Sequence, residues 1–174
     1  LSHDLGTLIS VAEILSDRDD LRIVVIGEGP NKARLVSEAK TKNLKNVLFL
    51  PYQPVEVLPF SLSSGDFSVV TLATGMDQLT IPSKLYPAMA AGQAILALMG
   101  PGTDVGEMVI EYDIGIRVAQ GDSEGMAKEL VSLLNDPERV LSLKSHSRMV
   151  FEQNFTRKIS IGLYLEILDK AVKS

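Results

Sequence analysis

Five short apolar runs, separated by segments of helical periodicity, constrain this chain more than any other feature of it. They are "LRIVVIG" (21–27), "NVLFL" (46–50), "FSVVTL" (67–72), "AILAL" (94–98) and "GIRVA" (115–119). Each is aliphatic or β-branched with little polar alternation, the mark of a strand covered on both faces. Between them the apolar spacing lengthens. "DLGTLISVAEIL" (4–15) places Leu5, Leu8, Ile9, Ala12 and Leu15 at helical intervals, with Asp4 as N-cap. Further helices are expected from about Pro30, over "EVLPFSLSS" (56–64), from Ser83, over "TDVGEMVIEY" (103–112), and from Ser123 almost to the end, broken near 135–137 and 154–156. Strands alternating with helices build a parallel sheet with helices on both faces, a doubly wound α/β fold. The chain opens on a helix, and "LSHD" reads as the tail of a strand-to-helix loop. The expectation is therefore one domain over residues 1–174 that lacks its first strand.

Composition narrows the chemistry. There are no cysteines and only two histidines, His3 and His146, so disulfides, thiolate metal sites and a zinc centre are not expected. A net charge of −5 offers no basic face for duplex nucleic acid. No apolar run approaches the roughly 20 residues of a membrane span. An anionic ligand would have to be held locally, by backbone N–H groups and one or two cations.

Ligands of doubly wound sheets lie beyond the carboxyl ends of the strands. That rule selects the loops "GEGP" (27–30), "PYQP" (51–54), "ATGMDQLTIPSK" (73–84), "MGPGTD" (99–104) and "QGD" (120–122). "GEGP" lacks the third glycine of a dinucleotide fingerprint and fits a tight turn into a helix started by Pro30. Residues 73–82 form a longer connection than the roughly two to six residues usual between strand and helix. This loop carries Gly75, Met76, Asp77, Gln78, Leu79 and Thr80, then the corner Ser83-Lys84. A lysine and a hydroxyl at a helix start suit a phosphate. The alternative, equally open from these residues, is a capping Ser83 and a solvated Lys84. Gly102 and Thr103 open the next helix, where they supply either half of a diphosphate cradle or, taken alone, a simple N-cap. Nucleophilic catalysis has no support: there is no Gly-x-Ser-x-Gly elbow and no cysteine, and neither histidine has an obvious partner.

The segments "LRIVVIGEGPNKARL", "NVLFLPYQPVEVLP", "DFSVVTL", "MDQLTIPSKLYPAMAAGQAILAL" and "GIRVAQGDSEGMAKELVSLLNDP" occur in an order and spacing that resembles a known family. It is the C-terminal domain of family-four retaining glycosyltransferases of the GT-B fold. The nearest branch is that of bacterial polysaccharide enzymes similar to the colanic-acid and O-antigen transferases. The resemblance implies two Rossmann-like domains facing a cleft, the C-terminal one holding the nucleotide-sugar donor. The N-terminal, acceptor-binding domain is not in this chain. By the same resemblance Gly75, Met76, Asp77, Gln78 and Leu79 lie beside the donor sugar, with Asp77 at the acidic position. Ser83 and Lys84 meet the diphosphate, Tyr52 frames the base, and His3 and Asp4 stand near the interdomain cleft. Asp77, Lys84 and His3 are the catalytic candidates. Leu79 and Pro87 occupy the places of the broader family's two glutamates, so no carboxylate from there reaches the ribose.

The expected function is binding of a nucleoside diphosphate sugar, a UDP-sugar first, for retaining transfer in bacterial polysaccharide synthesis. No metal or cofactor is expected to be required, because helix dipoles and Lys84 can stabilise the leaving diphosphate. The expected location is cytoplasmic, with contact to the inner membrane only through parts outside this chain. Two other readings stand beside it: a nucleotide-sugar epimerase of the same architecture, and a nucleotide-binding module without catalysis.

Overall fold

The computed structural model describes residues 4–72 and 81–173. The apolar runs all become strands: β1 (Ile23–Ile26), β2 (Val47–Leu50), β3 (Phe67–Thr71), β4 (Ala94–Leu98) and β5 (Gly115–Val118). Helices fill the intervals: α1 (Gly6–Ile14), α2 (Lys32–Thr41), α3 (Leu58–Ser63, after a 3-10 turn at Val55–Val57), α4 (Leu85–Ala90) and α5 (Asp104–Glu111). Three more follow in succession, α6 (Ser123–Leu134), α7 (Pro137–Asn154) and α8 (Arg157–Lys173). The breaks between them have local causes. Asp122 and Asp136 accept from the Gly125 and Arg139 N–H groups, and Pro137 takes the first position of α7, where it lacks no needed donor.

All described strand pairs are parallel. β3, β4 and β5 form one sheet in that order, with Val69 opposite Leu96 and Leu96 opposite Ile116. β4, in the middle, is buried along its whole length. Its alternation sorts the core onto two faces. Ile95 and Ala97 pack with Leu85, Met89, Val105 and Val109 of α4 and α5 and with Val150 of α7. Leu96 and Leu98 pack on the other face with Leu8, Val11 and Leu15 of the α1 segment and with Met126 and Leu130 of α6. Close approach of β5 to β4 depends on Gly115, where a Cβ would stand 1.9 Å from the Ile95 carbonyl oxygen. The turn into β5 is made by Asp113 at φ 52°, and Arg139 of α7 grips its carboxylate with both terminal nitrogens. The Arg139 guanidinium holds the Asp113 carboxyl below its usual range.

Among the described residues β1 pairs only with β2, in a second two-stranded parallel sheet. Both sheets rest on α1: Ile9 and Ala12 pack with Leu35 and Ala39 of α2 and with Ile23, Val47 and Phe49. One expectation needs correction: the helix expected from Ser83 begins two residues later, with Lys84 as its N-cap residue. The reason is Pro82, whose carbonyl accepts from the Leu85 N–H and closes a tight turn over Ser83 and Lys84. The Lys84 side chain makes no capping bond there. At the far end of the chain, α8 has no buried residue and leaves Ile161, Tyr164, Leu165, Leu168 and Val172 in solvent.

Candidate functional site

Because all five strands run the same way within their sheets, the loops after them gather at carboxyl edges, where such folds hold ligands. The corner before α4 and the loop before α5 follow neighbouring strands, β3 and β4. Leu85 and Val105, beside Lys84 and Thr103, pack in one cluster. Lys84 itself is exposed, and no carboxylate among the described residues pairs with it. Ser83 is exposed beside it. Pro87 is the third residue of α4, within the first turn, where a missing N–H costs no intrahelical bond.

The loop before α5 is already furnished by its own chain. Thr103 is 2% exposed; its Oγ1 accepts from the Gly106 N–H at 3.3 Å and donates to the Gly100 carbonyl at 3.0 Å. Gly102, at φ 75°, donates its N–H to Glu107 Oε1 at 2.8 Å. The same carboxylate pairs with Arg117 of β5. The Gly102 N–H, and after it Arg117, hold the Glu107 carboxyl below its usual range. Thr103 thus serves as the N-cap, and the Gly102 N–H is occupied by a carboxylate that sequence reasoning left out of this loop. Its five-residue offset from Gly102, over one helical turn, was the available signal.

Tyr52 is 71% exposed, and its ring lies over Gly27 at the end of β1, where a Cβ would come within 3.2 Å of it. Below this contact Lys32 ties two strand ends together. Its Nζ donates to the Gly27 carbonyl at 2.7 Å, the Leu50 carbonyl at 3.0 Å and the Glu28 carboxylate at 2.7 Å. This lysine was not singled out from the sequence. Its amine is committed to the protein.

Leu5, one residue past the expected Asp4, is the N-cap residue of α1 and makes no side-chain cap bond; Asp4 reaches the helix start with its carboxylate from one residue further back. Its Oδ1 accepts from the Thr7 N–H at 3.3 Å; its Oδ2 accepts from Thr7 Oγ1 at 2.5 Å and from the Gly121 N–H at 3.1 Å. Its own N–H donates to Thr71 Oγ1 at 3.4 Å, and Gln120 Nε2 donates to the Leu72 carbonyl at 2.6 Å. The start of α1, the end of β3 and the loop after β5 are therefore one hydrogen-bonded unit. His3, Gly75, Met76, Asp77, Gln78, Leu79 and Thr80 lie outside the described residues. Among the described residues no three His, Cys, Asp or Glu side chains are placed to hold a metal, and no helix is long and apolar enough to cross a membrane.

Parallel strands flanked by helices on both faces, with polar loops gathered at carboxyl edges, define the Rossmann-like class of α/β domains. Within that class the family is shown by sequence. Residues 3–150 match the family described as Glycosyl transferases group 1, and the chain belongs to it. It is 28% identical over 163 residues to a probable glycosyltransferase, WbjE, of Pseudomonas aeruginosa, covering 91% of this chain and 40% of that protein. It is 32% identical over 104 residues to a putative colanic acid biosynthesis glycosyl transferase, WcaI, of Escherichia coli K12, covering 60% of this chain and 25% of that protein. The chain thus spans well under half the length of these curated relatives. Among solved structures it is similar to Anabaena HepE, in a complex with UDP-glucose, at a TM-score of 0.75 and 15% identity, over 98% of this chain and 46% of that one. It is also similar to the C-terminal domain of a group 1 glycosyl transferase, LpcC, of Francisella tularensis, at a TM-score of 0.72 and 20% identity, over 89% of this chain and 81% of that one. Likeness at these identities establishes the fold, which is that of GT-B glycosyltransferases.

Proposed function

We propose that this chain is the donor-binding, C-terminal domain of a retaining glycosyltransferase that takes a nucleoside diphosphate sugar, UDP-linked first, in bacterial polysaccharide synthesis. The observation that carries the reading is Lys84: an exposed cation, with no carboxylate partner among the described residues, at the carboxyl edge of a sheet in a family-matched segment. There it meets the leaving diphosphate, and Ser83 donates a second hydrogen bond. Tyr52, packed over Gly27, offers a flat face to the base. Asp77 and His3 act from the sugar side and the cleft side, and Gly75, Met76, Gln78, Leu79 and Thr80 belong with Asp77 to the donor-binding segment. The acceptor comes from an N-terminal domain beyond this chain. The reaction needs no metal, since the developing charge on the leaving group is met by Lys84 and backbone donors. The working place is the cytoplasmic side, with contact to the inner membrane only through parts beyond this chain.

Calorimetric titration of the gene product with UDP, GDP and ADP, followed by a donor-hydrolysis assay with the matching sugar nucleotide, tests this. Tight UDP binding with release of sugar supports it. Binding without turnover of any donor, with acceptor present, favours a non-catalytic module. No nucleotide binding at all overturns it.

A further inference from the structure

A ring of hydrogen bonds closes over the carboxyl end of β4 and includes the last described residue before the loop that starts at 73. The register of β3 with β4 stops at Thr71, opposite Leu98. Leu72 is buried beyond it, and its carbonyl accepts from Gln120 Nε2 at 2.6 Å and from Thr71 Oγ1 at 3.3 Å. A buried carbonyl at a strand end needs such donors, because leaving it unpaired costs the desolvation of the group. Its nearer donor comes from the far side of the sheet. β4 separates β3 from β5, so those two strands stand about 9.6 Å apart, twice the spacing of neighbours. A turn over the end of β4 carries the glutamine across.

In that turn the Asp122 N–H donates to the Ala119 carbonyl at 3.1 Å, and Gly121, at φ 81°, supplies left-handed backbone at the third place. Asp4 holds it there. Its Oδ2 and Thr7 Oγ1 both accept from the Gly121 N–H at 3.1 Å, while the Asp4 N–H reaches Thr71 Oγ1 at 3.4 Å. The ring therefore runs from Asp4 through Thr71, Leu72, Gln120 and Gly121 back to Asp4. A glutamine at the corner of a surface turn ordinarily points to water; this one points inward to a strand end. The other end of the same connection is held differently. Leu85, Ala88 and Met89 are fully buried and pack with Val105 and Val109, on the face of β4 opposite α1. Lys84 thus takes its place from α4, and Leu72 takes its place from Gln120.

We propose that Gln120 is a positioning residue: by holding the Leu72 carbonyl it fixes where the chain leaves β3, and the Asp4 carboxylate sets the turn that presents it. The proposal rests on the donor-site reading given above, in which Asp77 acts on the sugar side and Lys84 meets the diphosphate. On that reading Gln120 governs turnover of the sugar nucleotide and leaves the grip on the diphosphate alone. Its loss falls on the chemistry, because displacing a positioned group by about 1 Å lowers a rate on the order of a hundredfold.

The test compares two variants of the gene product that carries this chain. Gln120→Met keeps the length and removes the donor; Gln120→Lys restores a donor beside the Asp4 carboxylate. Calorimetry reads UDP affinity, and hydrolysis of the UDP-sugar that the parent turns over, UDP-glucose first, gives kcat and KM. Gln120→Met should lower kcat/KM about tenfold or more while UDP affinity stays within about twofold. Gln120→Lys should recover most of the loss. Equal kcat/KM in Gln120→Met and parent would overturn the proposal. A parallel fall of UDP affinity and turnover, or a Lys variant no better than Met, would overturn it too, because Gln120 would then be a stability contact only. Amide hydrogen exchange without nucleotide keeps the two readings apart. In Gln120→Met the N–H groups of Asp4 and Gly121 should exchange about tenfold or more faster than in the parent, since both belong to the ring. Unchanged exchange there overturns the proposal even where UDP binds. A parent that binds no nucleotide but shows this exchange response keeps the hold of Gln120 on Leu72 and loses the donor-site reading.

Discussion

Replacing Lys84 with alanine should weaken UDP binding by about tenfold to a hundredfold. The figure follows from the surroundings of the side chain. A hydrogen bond from a charged donor is worth about 1.5–3 kcal/mol, and each 1.4 kcal/mol is tenfold in affinity. No described carboxylate competes for the amine, so the parent loses little by redirecting it to a phosphate. Exposure to water pulls the estimate toward the lower end. α4 has only six residues, so its dipole is a weak substitute once the charge is gone. Lys84→Arg should keep most of the affinity, because the charge is retained. Titration calorimetry at two salt concentrations gives the assay: the Ala variant should lose both affinity and part of the salt dependence. Lys32→Ala is the control, since that amine already serves the Gly27 and Leu50 carbonyls. It should lower thermal stability while the salt slope stays. Equal UDP affinity in Lys84→Ala and parent would refute the reasoning and leave Lys84 as a solvated surface charge.

Thr103→Val removes a buried N-cap and orphans the Gly106 N–H, so chemical denaturation should show a loss of about 1–2 kcal/mol with an unchanged m-value. Gly115→Ala drives a methyl into the Ile95 carbonyl and should yield insoluble or unfolded protein on expression. Asp113 titrates below its unfolded value of about 3.9, with Arg139 and His146 both facing it. Its stabilisation is therefore present above that value and lost as pH falls through the lower, folded one. Asp113→Asn should flatten this part of an acid-denaturation curve followed by circular dichroism; an unchanged curve would put the acid sensitivity elsewhere.

Strands and their parallel arrangement were legible because apolar runs of four or five residues between helical segments leave few other packings. That the Asp4 carboxylate meets the start of α1 was legible too, though the N-cap residue itself is Leu5. The start of α4 was misplaced because proline reads equally well as the first residue of a helix or the corner of a turn, and only the Pro82–Leu85 hydrogen bond decides. The commitments of Lys32 and Glu107 were not legible. Each depends on carbonyls or N–H groups brought close by folding, and a lysine in a helix looks solvated until the strand ends beneath it are known. The break between the sheets could not be read from the strand runs themselves, since both sets have the same composition.

Glu107 gives the loop before α5 the character of an ion exchanger. Its carboxylate already sits on the Gly102 N–H, with Arg117 as counterion, so an arriving phosphate oxygen does not enter a bare positive field. It trades places with a resident anion and gains only the difference between the two. A lone inorganic phosphate has little to offer in that exchange. On the donor-site reading proposed above, a diphosphate that engages Lys84 at the same moment has a second grip, and the trade becomes favourable through that added contact. The loop would then discriminate by the number of charged groups a ligand brings, more than by the strength of any one of them.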